Sequence, residues 1–140
     1  MLERAISGSE WTLGVIDDDP LPLIRIGTDR QFFDFEAKYN DDDTEYNFDE
    51  SIPDDLRTAL TEIGIQACQS LGTKGVARVD IMVDESGQPW VLEVNTIPGL
   101  TDHSLVPKAA ARLGLNMPQF CEVVLERALN AAGKTLRKAS

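Results

Sequence analysis

Two carboxylates and a carboxamide, Asp80, Glu93 and Asn95, are the residues of this chain whose types and spacing most directly suggest chemistry. Residues 75–83 alternate apolar and polar side chains, the period of a half-buried strand. Asp84-Glu85-Ser86-Gly87-Gln88 supplies turn residues, and a second strand is expected over residues 89–95. A tight loop of two or four residues centred on Ser86-Gly87 sets Asp80 opposite Glu93 and Arg78 opposite Asn95. Facing like charges destabilise a sheet, so this pair requires a cation. Two carboxylates and an amide oxygen suit a hard ion such as Mg2+, which keeps water ligands and shares substrate phosphates. The competing reading is a solvated polar face, the ordinary condition of an arbitrary hairpin.

The elements that must position this hairpin are legible around it. Residues 11–16 and 22–26 read as strands joined by the acidic turn Asp17-Asp18-Asp19-Pro20, and residues 31–35 as a third strand. Residues 36–49 are polar and acidic and read as a long loop, of the kind that is usually functional or disordered. A helix begins near Pro53, carries Leu56, Leu60, Ile63, Ala67 and Leu71 as a buried stripe, and stops at Gly72. After the hairpin, Pro98 ends any central strand. Two helices follow, over residues 106–113 and 118–132, with Gly114 and Gly133 as stops and Phe120, Val124 and Ala128 on one face of the second. Strands, helix, hairpin and helices without regular βαβ alternation predict an α+β domain with a largely antiparallel sheet.

At 140 residues the chain is one domain, and 42% apolar composition is ordinary for a folded protein. A net charge of −11 argues against nucleic acid, since the only local basic stretch is Lys134-Thr135-Leu136-Arg137-Lys138. Cys68 and Cys121, each in an apolar helical pattern, read as reduced core thiols, and one histidine without CxxC gives no zinc spacing. No stretch has transmembrane length and the N-terminus lacks a signal-peptide run, so the expectation is a cytoplasmic protein without a membrane partner. Trp11 and Trp90 read as core or near-core aromatics, and His103 as structural.

Taken together, Gly75-Val76-Ala77-Arg78-Val79-Asp80, the run Leu92-Glu93-Val94-Asn95-Thr96-Ile97-Pro98-Gly99-Leu100-Thr101, and His103-Ser104-Leu105-Val106-Pro107 resemble D-alanine–D-alanine ligases of the ATP-grasp family. Ile6-Ser7-Gly8-Ser9-Glu10-Trp11-Thr12 and Asp34-Phe35-Glu36-Ala37-Lys38-Tyr39 look like segments of the same family in the same order, so the likeness covers nearly the whole chain. It implies the C-terminal ATP-grasp domain over residues 1–140, without the N-terminal and central domains that carry phosphate-binding lysines and a glycine- and serine-rich loop.

The resemblance implies a role for each matching residue. Asp80, Glu93 and Asn95 correspond to magnesium ligands, with Glu93 bridging two ions on the ATP phosphates; Mn2+ is the alternative metal. Arg78 corresponds to the arginine that stabilises the acyl phosphate and tetrahedral intermediate, although an ion pair with Asp80 or Glu93 would also account for it. The Gly99 N–H corresponds to an oxyanion-hole donor, where a plain Pro-Gly turn is the simpler alternative. Ser104 and Leu105 correspond to binders of the second D-alanine carboxylate, and helix capping is the other use for Ser104. Lys38 would reach phosphate and Tyr39 would help close a mobile loop over the site. Glu3 and Glu10 would contact the adenine amino group and ribose hydroxyls, with the Ile6 backbone beside the adenine. The implied substrates are D-alanine and ATP. The isolated chain is expected to be inactive and prone to self-association through surfaces the absent domains would cover. An ATP-grasp ligase for another acid and amine, or a non-catalytic nucleotide- or metal-binding module, are the competing functions.

Overall fold

The computed structural model describes residues 4–27, 45–48 and 51–133. The expected strand at 31–35, most of the long loop and the basic tail lie outside the described residues. Among the described residues six strands form one sheet: β1 (Gly8–Ile16), β2 (Asp19–Pro20), β3 (Ile24–Gly27), β4 (Glu45–Asn47), β5 (Val76–Asp84) and β6 (Pro89–Asn95). Three helices accompany them among the described residues: α1 (Asp54–Leu71), α2 (Leu105–Arg112) and α3 (Met117–Ala131). The strand order is β4-β3-β1-β5-β6, with β2 paired to β1, and every pairing is antiparallel. The α+β expectation therefore holds. One part of the expected loop does not: residues 45–47 form β4 and pair with β3. Three residues are too few for alternation to be visible, and backbone pairing along the β3 edge makes the strand.

β1 and β5 form the spine, paired over nine positions from Gly8↔Asp84 to Ile16↔Val76. Because side chains alternate between faces, this register fixes what each face carries. On one face Trp11, Leu13, Val15, Ala77, Val79, Ile81 and Val83 pack beneath α1, against Leu60 and Cys68. The helix lies close because Gly64 presents no side chain there. A Cβ at that position would sit 2.5 Å from Leu13 Cδ2. On the other face Ile16, Ile24 and Ile26 are covered by Val106, Ala109 and Ala110 of α2 and Phe120 of α3.

Local chemistry sets the helix ends. Asp54 and Asp55 place negative charge in the first turn of α1, where the helix dipole favours it. At the other end Gly72 takes the left-handed conformation (φ 66°), the Gly72 N–H donates to Gln69 O and the Thr73 N–H to Cys68 O, a Schellman stop. The buried stripe ends one turn earlier than expected: Leu71 is exposed, and Gly64 and Cys68 are buried instead. α3 begins with a capping box in which Asn116 Oδ1 accepts the Gln119 N–H and Gln119 Oε1 accepts the Asn116 N–H, both at 3.0 Å. Two side-chain expectations need correction. Cys121 is exposed, so only Cys68 is a core thiol. Trp90 is also exposed and donates its indole N–H to Asp84 at 2.9 Å, whereas Trp11 is core. No helix among the described residues is long and apolar enough to cross a membrane.

Candidate functional site

The face of β5 opposite α1 divides along its length. At the Val76 end it joins the apolar cluster under α2 and α3. Further along it carries Arg78 and Asp80, and cross-strand pairing sorts the neighbouring residues into rows: Gly14, Arg78 and Asn95; then Thr12, Asp80 and Glu93; then Glu10, Met82 and Trp90. The predicted pairings Asp80↔Glu93 and Arg78↔Asn95 are both present.

The route to that register differs from an unbroken ladder. The strands end at Asp84 and Pro89 and leave four residues between them, one of the two lengths expected, but Val83 pairs with Pro89, one residue off the expected register. Asp84 organises the loop by accepting the Ser86 N–H, the Ser86 hydroxyl and the Gln88 N–H. From that loop an unbroken ladder would set Leu92 opposite Asp80. A bulge intervenes: Ile81 pairs with Val91 and Asp80 with Glu93, so Leu92 is the extra residue. Bulges re-aim side chains in this way, and here the result is to bring a carboxylate opposite Asp80.

Arg78 and Asp80 are buried, at 6% and 3% exposure, and so is Thr12 at 2%. Burying a charge is costly unless it is paired and hydrogen-bonded, and all three are joined. Arg78 grips Asp80 bidentately, Nε to Oδ1 at 2.9 Å and Nη2 to Oδ2 at 2.8 Å. Thr12 donates its hydroxyl to Asp80 Oδ1 at 2.7 Å from the neighbouring strand. Arg78 Nη2 also lies 3.6 Å from Glu93 Oε1. The guanidinium thus offsets the repulsion between facing carboxylates, and the expected ion pairing of Arg78 occurs with both. Asn95 accepts the Ile97 N–H on Oδ1 at 3.0 Å, which turns the chain out of β6.

Pro98 is buried, and Gly99 approaches α2 so closely that a Cβ would lie 2.7 Å from Ser104 Oγ. A side chain here would press on the Ser104 hydroxyl, and the Gly99 backbone is not left-handed. Ser104 stands at the N-cap position, yet its side chain makes no capping bond. Its Oγ instead accepts the Thr101 N–H at 3.0 Å and meets the Thr101 hydroxyl at 2.9 Å, bracing the loop. Beside Leu105, Val106 rests on β1: its Cγ1 is 3.5 Å from where a Gly14 Cβ would be, and Gly14 pairs with Arg78. The start of α2 is therefore seated next to the Arg78 row.

Among the predicted site residues, one sheet face gathers Glu10, Arg78, Asp80, Glu93 and Asn95. Gly99, Ser104 and Leu105 form the loop and helix start that follow, and Ile6, half-buried, precedes β1. Glu3, Lys38 and Tyr39 lie outside the described residues. Thr12 went unread, because only the β1–β5 register reveals that it faces Asp80. Among the described residues no three His, Cys, Asp or Glu side chains gather as a metal cluster. The donors at hand are two carboxylates and one amide oxygen, all hard. Such a sparse set fits an ion like Mg2+ that completes its shell with water and phosphate oxygens.

Comparison with known proteins gives a consistent result. The family described as D-ala D-ala ligase C-terminus matches residues 1–126. A D-alanine–D-alanine ligase of Ectopseudomonas mendocina is 44% identical over 133 residues, covering 95% of this chain and 42% of the relative. Among solved structures, the Bacillus anthracis D-alanine–D-alanine ligase complexed with ATP superposes with a TM-score of 0.79 at 31% identity, covering 94% of this chain and 41% of that one. The VanG D-Ala:D-Ser ligase of Enterococcus faecalis gives 0.71 at 28% identity, over 86% and 36%. The chain spans about two fifths of the length of the curated relatives it matches.

Proposed function

This chain belongs to the family of D-alanine–D-alanine ligase C-terminal regions, and from that premise we propose that it supplies the C-terminal ATP-grasp portion of an ATP-dependent D-alanine–D-alanine ligase. The observation that carries the reading is the row Thr12, Asp80, Glu93 with Arg78 beside it: two facing carboxylates held by one buried guanidinium. Purely structural hairpins do not need such an arrangement.

In the proposed reaction the γ-phosphoryl group of ATP passes to the carboxylate of one D-alanine. The amine of a second D-alanine then attacks the acyl phosphate, forming the peptide bond and releasing phosphate. Asp80, Glu93 and Asn95 would hold Mg2+, which when bound neutralises charge on the transferring phosphoryl group. Arg78 keeps the two carboxylates together and presents a planar cation to the phosphate and the oxyanion. The Gly99 N–H is assigned to the oxyanion, where the absence of a side chain permits close approach. Ser104 and Leu105, at the start of α2, are assigned to the acceptor carboxylate, which the N–H groups of a helix N-terminus attract. Glu10, one row from Asp80, is assigned to the ribose and Ile6 to the adenine. Lys38, Tyr39 and Glu3 keep their assignments to phosphate, loop closure and the adenine amino group. We assign the protein to the cytoplasm, where ATP and free amino acids are at hand, and its D-alanyl dipeptide product to peptidoglycan precursor synthesis.

The VanG likeness favours one second reading, a ligase whose acceptor is a different D-amino acid. Exposed Trp90, Leu92, Ile97 and Leu100, on and after β6, favour association of the isolated chain or packing against the rest of a ligase. The test is phosphate release from magnesium–ATP by the full-length protein with D-alanine alone and with D-serine added. Glu93→Gln should lower turnover by more than about 100-fold, beyond the effect typical of an outer-shell partner. Activity retained in Glu93→Gln with unchanged magnesium dependence would remove the metal assignment, and preference for D-serine would move the substrate.

A further inference from the structure

We infer that Thr12 is a positioning residue that fixes the Asp80 carboxylate for metal binding, an inference that rests on the metal reading above. A buried threonine in a strand usually satisfies its hydroxyl on a backbone carbonyl, and Val79 O is available 3.4 Å away. The single hydroxyl proton instead goes to Asp80 Oδ1, at 2.7 Å, the much shorter contact.

Three features make this a device for aiming the carboxylate. The first is origin. Arg78 is only two residues from Asp80 on the same strand, so its bidentate grip sets the carboxylate plane relative to β5 alone. Thr12 belongs to β1, directly across the ladder, and it ties the same group to a second strand. The second is stiffness. A β-branched side chain has few χ1 choices, so the hydroxyl itself is held in place. The third is side. Thr12 and Glu93 pair with Asp80 from opposite neighbouring strands. The Thr12 bond therefore anchors Asp80 from the β1 side, across from the Glu93 carboxylate with which it would share an ion.

The residue touches no substrate or metal itself in this account. It acts through Asp80, as outer partners of metal ligands do elsewhere, where their loss costs about 10–100-fold in affinity. Serine keeps the hydroxyl but gives up the methyl group, whereas valine keeps the shape and loses the hydroxyl.

The experiment is a Mn2+ titration of the full-length protein with a non-hydrolysable ATP analogue present, reading protein-bound Mn2+ by electron paramagnetic resonance, alongside a thermal melt of each variant. Thr12→Val should weaken Mn2+ binding by about 10–100-fold, and Thr12→Ser should stay within about threefold of the parent. Thr12→Ala removes the same hydroxyl and replaces Thr12→Val if the latter does not fold. Parent-like affinity in a folded Thr12→Val or Thr12→Ala, with binding still abolished by Glu93→Gln, overturns the role of Thr12 and leaves the metal site standing. Affinity that only follows melting temperature across the variants also overturns it, in favour of a structural role. Binding indifferent to Glu93→Gln, or no Mn2+ binding by the parent, overturns the metal reading and this inference with it.

Discussion

At its centre β5 is buried on both faces, but the two faces are built on opposite principles. Ala77, Val79, Ile81 and Val83 point into an apolar cluster under α1, where burial is itself the stabilising term. Arg78 and Asp80, interleaved with them, are as well hidden but carry full charges that lose their water. One face holds the sheet together. The other is tolerated by it, and the tolerance depends on bonds that include those among Thr12, Arg78, Asp80 and Glu93. Buried ion pairs are weak sources of stability compared with apolar residues of similar volume. A charged pair kept at the centre of a sheet is therefore better explained by chemistry than by folding.

Substitutions on the two faces can break this contrast. The largest effect should come from Val79→Asp, which places an unpartnered carboxylate in the fully buried apolar cluster. A loss above about 4–5 kcal/mol is expected, enough to leave no cooperative melt. A well-folded Val79→Asp would show that the α1 face is not the main support. Next, Arg78→Met should cost about 3–5 kcal/mol by stranding Asp80, and adding Asp80→Leu should recover most of that loss while leaving metal binding absent. Chemical denaturation of the single and double variants measures both. If the double variant stayed as unstable as the single, the charged face would be a structural necessity and the contrast would fail.

The smallest effect concerns the far end of the same hairpin, where charge is exposed. The Ser86 hydroxyl, then the Trp90 indole N–H and the Gln88 N–H, hold the Asp84 carboxyl down at about 2, from an ordinary 3.8. A lowered folded value means that the loop is supported in full above about pH 4. The support is lost as pH falls through about 2. The Trp90 indole N–H resonance, followed from pH 5 downward, should hold steady and then move with a midpoint near 2. A midpoint at 3.8 would remove Asp84 as the organiser of the loop.

Much of the fold was legible because it rests on local rules. The alternation through residues 75–83, the Gly72 stop and the helices before and after the hairpin appear where their patterns place them. What escaped was short or non-local. β4 is three residues of backbone pairing, with no pattern long enough to see. The exposure of Leu71 and Cys121 depends on where the sheet and α2 stop covering a helix, which periodicity does not record. The site shows the same division. Asp80 stands opposite Glu93 as the pattern predicts, but the ladder leaves the loop one residue out of the expected register and the bulge at Leu92 restores the pairing. Thr12 carried no signal of its own, since a threonine in a strand is ordinary until its cross-strand neighbour is known.

The sequence by itself determined which residues could bind a hard cation, which strands would carry them, and the family to which their flanking segments belong. Side-chain type, a period of two and turn residues are local properties, and they survive without knowledge of distant contacts. Tertiary structure alone decided that β1 lies beside β5, that Thr12 reaches Asp80, that Val106 settles on Gly14 next to the Arg78 row, and that Gly99 faces the Ser104 hydroxyl. Each of these joins residues far apart in the chain or depends on a clearance of an ångström or less, and packing fixes such distances where pattern does not.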